Sequence, residues 1–173
     1  MESKAKLFGH AIHPILIVFP LGLLTTSVIF DIVYLLTANS VWAIVSFWMI
    51  VAGVIGGFAA GLFGLIDYLA IPEGTRAKRV GLRHGLLSVI VIILFGISWL
   101  LRAGTPEAPP VTALALSVLA VILAAVAGWL GGELVERLGV GVDSGANLNA
   151  PSSLSQSELE RTDREPPSVL GEF

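Results

Sequence analysis

The sequence contains no cysteine. Disulfides, covalently attached haem, iron–sulfur clusters and thiolate catalysis are therefore excluded, and histidine and carboxylates are the only side chains left to hold a metal. Charge is scarce as well: charged residues are 13% of the 173, apolar residues 55%, and mean hydropathy is +0.87. A soluble domain carries about 25% charged residues to cover its surface, so lipid rather than water must cover most of this chain. The formal charge of −3 is unevenly spread. Residues 143–173 hold six acidic and two basic residues, the body seven acidic and eight basic. A nearly neutral body offers no surface for a polyanion, which argues against nucleic acid as a partner. There is also no P-loop, dinucleotide motif or hydrolase triad.

What the chain does have is long apolar runs: Ile15 to Leu36, Val41 to about Leu69, Leu86 to Leu101 and Val111 to Leu130. Each is near the roughly 20 residues that an α-helix needs to cross the hydrocarbon core. None alternates like a barrel strand, and spans must be helices or closed barrels. The expectation is an all-α, polytopic membrane protein: a four-helix transmembrane bundle over residues 1–142, with helices at about 13–36, 41–69, 81–101 and 111–131. A disordered, acidic cytoplasmic tail is expected over 143–173, where few large apolar residues could offset the entropy of ordering. The first run is too long for a signal-peptide core and no small-residue cleavage site follows it, so it reads as a retained helix. Lys4, Lys6, Arg76, Lys78, Arg79 and Arg83 gather on one side of such a bundle, which by the positive-inside rule places both termini in the cytoplasm. No internal repeat is evident along the chain.

Ionisable groups near spans carry most of the functional information in a membrane protein. All three histidines, His10, His13 and His84, lie with Asp67 and Glu133 at the helix ends expected on the cytoplasmic face, whereas Asp31 lies toward the other face. At about 100° per residue, Gly53, Gly56, Gly57, Ala60, Gly61 and Gly64 share one face of the second helix, and Asp67 falls on it. Such a face lets a neighbouring helix approach closely. His84, Ser88, Phe95 and Ser98 share a stripe on the third helix. His10 and His13 stand three residues apart, and Pro20 is expected to bend the first helix. Glu133 lies roughly 160° from the small-residue stripe of the fourth helix unless Gly131 and Gly132 break it. The plainer reading is that these groups only anchor helix ends among lipid headgroups, that the glycine face is packing, and that Asp31 caps the outer end of the bundle.

The same residues carry a likeness. The stretch Gly9-His10-Ala11-Ile12-His13-Pro14 followed by Phe19-Pro20-Leu21-Gly22-Leu23 resembles the opening of the bacterial membrane proteins grouped as domain of unknown function 2231. Gly64-Leu65-Ile66-Asp67-Tyr68, Arg83-His84-Gly85, and Gly131-Gly132-Glu133-Leu134 leading into Gly139-Val140-Gly141-Val142 agree in order, over about residues 7 to 142. The resemblance implies four membrane helices, a bacterial inner membrane, and, because some relatives carry a Rieske-type domain after the helices, redox work. Relatives often hold further histidines where this chain has Val18 and Leu138.

These observations converge on a membrane protein with a cofactor site on its cytoplasmic face. For haem b, His13 and His84 would be the axial ligands; for a divalent metal, His10, His13, Asp67, His84 and Glu133 would supply a mixed nitrogen and oxygen set. Electron transfer, with a membrane redox partner or a second copy, would suit the site better than substrate turnover. Two other readings stand beside it: a non-enzymatic subunit that docks a partner through its glycine face, and a small transporter or proton pathway through Asp31, Asp67 and the histidines.

Overall fold

The computed structural model describes residues 1–155. Its four long helices are α1 (Ile12–Thr37), α2 (Ser40–Ala70), α3 (Arg76–Arg102) and α4 (Val111–Gly132), the last continuing into a π-helical turn at Glu133–Arg137. All four are long and apolar enough to cross a membrane. At about 1.5 Å per residue, even the shortest exceeds the roughly 30 Å of hydrocarbon. Residues 143–152 form turns and irregular backbone and lie exposed, and residues 153–155 are helical. The expected disordered tail falls, from residue 156 onward, outside the described residues.

Local chemistry sets the helix ends. Ala38, at φ 53, closes α1, and the Asn39 side chain accepts a bond from the Val41 N–H to open α2. α3 begins at Arg76, earlier than expected from its apolar run. Gly74 turns the chain at φ 77, and the Thr75 side chain accepts from the Lys78 N–H, so two basic turns precede the apolar part of the helix. α1 runs on through Pro20, which is buried against Gly56 of α2.

The helices run up and down, so one face of the bundle gathers the start of α1, the end of α2, the start of α3 and the end of α4. We call this the histidine face. Residues 1–11 are tied across it. Lys6–Leu7 (β1) pairs antiparallel with His10–Ala11 (β2) around a turn at Phe8 and Gly9. The Met1 ammonium donates to the Gly139 carbonyl, and Glu2 accepts from Ser144. Hydrogen bonds from the Lys6 ammonium and then from Ser144 hold the Glu2 carboxyl down to about 2.

Burial is inverted relative to a water-soluble bundle. Most large apolar side chains of the helices face outward, while the fully buried set includes Arg102, Ser27, Ser46, Ser98 and Ser117 beside Phe95 and Ile50. That pattern fits a lipid solvent, where apolar surface costs nothing and polar groups must pair inside.

The structure also corrects the reading of the chain as free of repeats. The positions of α1 that turn inward recur in α3 with an offset of 71: His13 and His84, Pro20 and Val91, Leu24 and Phe95, Ser27 and Ser98, Asp31 and Arg102. Those of α2 recur in α4 with an offset of 67: Phe47 and Leu114, Gly53 and Ala120, Ala60 and Ala127, Gly64 and Gly131. Because α1 and α3 run the same way, the two hairpins are related by a pseudo-twofold axis along the bundle, a parallel repeat. Most matched positions hold different residue types, which hides the repeat from the linear sequence.

Candidate functional site

Two polar centres lie on that axis, each joining α1 to α3. Eighteen residues separate His13 from Asp31 and likewise His84 from Arg102. That is five helical turns, so the members of each pair share a helix face about 27 Å apart. Between the centres the core is apolar, built on Leu24, Val28, Ile50, Val91, Phe95 and Ala120.

At the histidine face, His13 Nδ1 lies 2.8 Å from the Ala60 carbonyl of α2, and His84 Nδ1 lies 2.9 Å from the Ala127 carbonyl of α4. A carbonyl oxygen can only accept, so each Nδ1 carries the proton and each neutral ring keeps its lone pair on Nε2. Among the described residues neither Nε2 has a hydrogen-bond partner. The ring centroids are 6.3 Å apart, nearly perpendicular, and both side chains are half-buried.

Glycine makes these berths. A Cβ at Gly64 would stand 2.9 Å from the His13 ring, and one at Gly131 would stand 3.2 Å from that of His84. Each glycine lies four residues after the carbonyl its histidine binds, so the imidazole lies in the notch left by the missing side chain. The rest of the glycine face is used internally as well. Gly53 meets Leu24, Gly56 meets Pro20, and Gly57 meets Ile92, whereas Gly61 is open.

The other expected ligands do not join the pair. Asp67 points to the N-terminal segment: Ser3 Oγ lies 2.8 Å from both its carboxylate oxygens, and the Lys4 N–H donates to it at 2.8 Å. Glu133 is ion-paired with Arg76. His10 sits exposed on β2. Among the described residues no group of three or more His, Cys, Asp or Glu side chains is placed to hold a metal ion. The five-residue mixed ligand set therefore does not assemble, because helix-end contacts engage its carboxylates first.

The opposite centre was missed in the sequence, where the third helix is expected to end at about residue 101, just before Arg102, and Asp31 reads as a cap. Arg102 is 0% exposed and Asp31 3%. Arg102 Nη1 and Nη2 donate to Asp31 Oδ1 and Oδ2, both at 2.7 Å. Nη1 also reaches Ser46 Oγ at 3.2 Å, Nη2 reaches Ser117 Oγ at 3.1 Å, and Nε reaches Ser98 Oγ at 3.2 Å. All five guanidinium protons are thus placed, and the bonds reach residues of all four helices. Ser98 Oγ lies 2.8 Å from both the Ala113 carbonyl and Ser117 Oγ. With the Ser98 proton given to the carbonyl, Ser117 is the donor between the two hydroxyls. The signal that could have found this centre was the 18-residue spacing from each helix's histidine.

A family model described as a predicted membrane protein (DUF2231) matches residues 9–144. No curated protein and no solved structure matches the chain.

Proposed function

We propose, from the premise that the chain belongs to the DUF2231 family of predicted membrane proteins, that it is a membrane redox protein holding a haem iron between His13 and His84. The observation that supports this reading is the state of the two imidazoles. Both have the tautomer fixed by a backbone carbonyl, the usual condition of a ligating histidine, and both leave Nε2 free. Two metal–nitrogen bonds of about 2.0–2.1 Å, plus roughly an ångström from each nitrogen to its ring centre, span about 6 Å. The ring centroids lie 6.3 Å apart, a separation of that size. Donor number favours haem over a bare divalent ion. A haem iron asks the protein for no more than two axial ligands, whereas a bare zinc usually takes four ligands. When bound, the haem would supply one-electron chemistry. The chain's own contribution is to fix the imidazoles and surround them with apolar helix walls. The transporter reading is less well supported, since Leu24 and Phe95 fill the axis between the two polar centres.

The test is an absorption spectrum and elemental analysis of detergent-purified protein made with haem and metals supplied. A haem spectrum with about one iron per chain is expected, lost in His13→Ala and in His84→Ala but kept in His10→Ala. Bound divalent metal without a haem spectrum would move the assignment to a bare ion. Colourless, metal-free wild-type protein would end it, leaving the histidines as helix anchors.

The histidine face is, on this proposal, the cytoplasmic side of a bacterial inner membrane. Lys4, Lys6, Arg76, Lys78, Arg79 and Arg83 belong to it, whereas Arg102 at the other end is buried in its ion pair. The loops of that other end therefore present no free basic residue, which sharpens the charge asymmetry that orients helices. Reporter fusions at Thr105 and Val142 should give opposite locations, with Val142 cytoplasmic. A periplasmic signal from Val142 would reverse the orientation.

A further inference from the structure

Beside the histidine pair, a pocket of about 510 Å³ opens between α3 and the end of α4. Arg76, Arg79 and Arg83 line it from α3, and Trp129 and Glu133 line it from the α4 side, over a floor of Val80 and Leu130. Spacings of three and four residues put the three arginines on one helix face. Only Arg76 has a carboxylate partner, Glu133. Arg79 makes one long bond, 3.4 Å to the Gly74 carbonyl, and Arg83 makes none among the described residues. The pocket thus holds three guanidinium groups against one carboxylate, and Arg79 and Arg83 are exposed with no carboxylate partner among the described residues.

The surroundings identify the anion. Arg83 stands three residues before the apolar run that begins at Leu86, so the arginines stand where the helix enters hydrocarbon. Trp129 is 77% exposed beside them, and an outward tryptophan near a span end belongs at the headgroup level. Exposed Leu86, Val89, Ile122 and Val126 continue the outer apolar surfaces of α3 and α4 from there toward the bilayer centre. A freely dissolved phosphate would use the arginines but neither the tryptophan nor the apolar floor. Guanidinium groups match phosphate oxygens in geometry as well as charge, and basic pockets between membrane helices suit anionic headgroups. We propose that this pocket binds the phosphate headgroup of an anionic phospholipid whose acyl chains lie along α3 and α4. The proposal stands independently of the haem reading.

The experiment is native mass spectrometry of the full-length protein with phosphatidylglycerol or phosphatidylcholine at equal concentration, and with inorganic phosphate as competitor. Wild type should retain phosphatidylglycerol preferentially. Arg79→Gln and Arg83→Gln should each lower that retention about five-fold, the effect of one basic residue at an anionic surface, while Arg83→Lys should recover part of it. Lys4→Gln removes an equal charge from the same end of the bundle, away from the pocket, and should change retention less than about two-fold. An effect of Lys4→Gln equal to that of Arg83→Gln would mean general surface attraction and overturn the site. Equal retention of the two lipids would overturn it too. Displacement of the lipid by millimolar inorganic phosphate would reassign the pocket to a soluble anion.

Discussion

Asp31→Ala should lower the stability of the folded protein by about 3–5 kcal/mol, the usual cost of removing one partner from a buried ion pair. The substitution leaves the Arg102 guanidinium fully buried, with only serine hydroxyls to accept from it. At the level of the membrane there is no water to replace the lost carboxylate. The loss should appear in detergent as a lower melting temperature or an earlier transition in a denaturant titration. Asp31→Leu combined with Arg102→Leu should recover much of it, because well-packed apolar residues often replace a buried pair without loss. A cost below about 1 kcal/mol for Asp31→Ala would show that the guanidinium escapes to solvent, and that the centre does not hold the four helices together.

Gly53→Leu is expected to have the second largest effect on stability. A Cβ at Gly53 would lie 2.6 Å from Cγ and Cδ2 of Leu24, and 3.5 Å from Cβ of Leu23. Leu24 is itself buried in the core cluster, so the contact meets a branching carbon with nowhere to go. Overpacking of this kind typically costs about 1–3 kcal/mol, and here it would also push α1 from α2. Gly57 is a gentler site, since the atom its Cβ would meet first is the terminal methyl of Ile92, which can rotate aside. The measurement is the ordering of two melting curves. Gly57→Leu more damaging than Gly53→Leu would mean that the α1–α2 contact is looser than the structure shows.

Much of the architecture was legible because lipid imposes a simple rule: each span must be a long apolar helix. The four runs therefore appear in the sequence nearly as they fold. The start of α3 was less visible, because Thr75 and Gly74 set it with a cap and a turn while the hydropathy pattern begins only later. The glycine face of α2 was visible, but its occupants were not. Helical spacing says which residues share a face, not that the imidazole of His13 lies against Gly64. Asp67 and Glu133 illustrate the limit most directly. Both were read as ligands from their position at a helix end, and both are spent on local partners, Ser3 and Arg76, that only the folded ends bring near. Arg102 sits at the last residue of α3, where composition alone makes it part of a loop. Its burial depends on Asp31 and three serines arriving from other elements or from one turn away.

The ion pair also bears on which half of the chain recognises which. The pseudo-twofold axis makes α1–α2 and α3–α4 resemble the subunits of a dimer fused end to end, and Asp31 and Arg102 occupy equivalent places in them. Were each hairpin to pair with another copy of itself, one combination would bury two carboxylates against each other in hydrocarbon and the other two guanidiniums. Like charges so placed are among the most expensive arrangements a membrane core can contain. Only the mixed pairing neutralises both. The opposite charges at one symmetric position are thus neutralised only when the two different hairpins face each other.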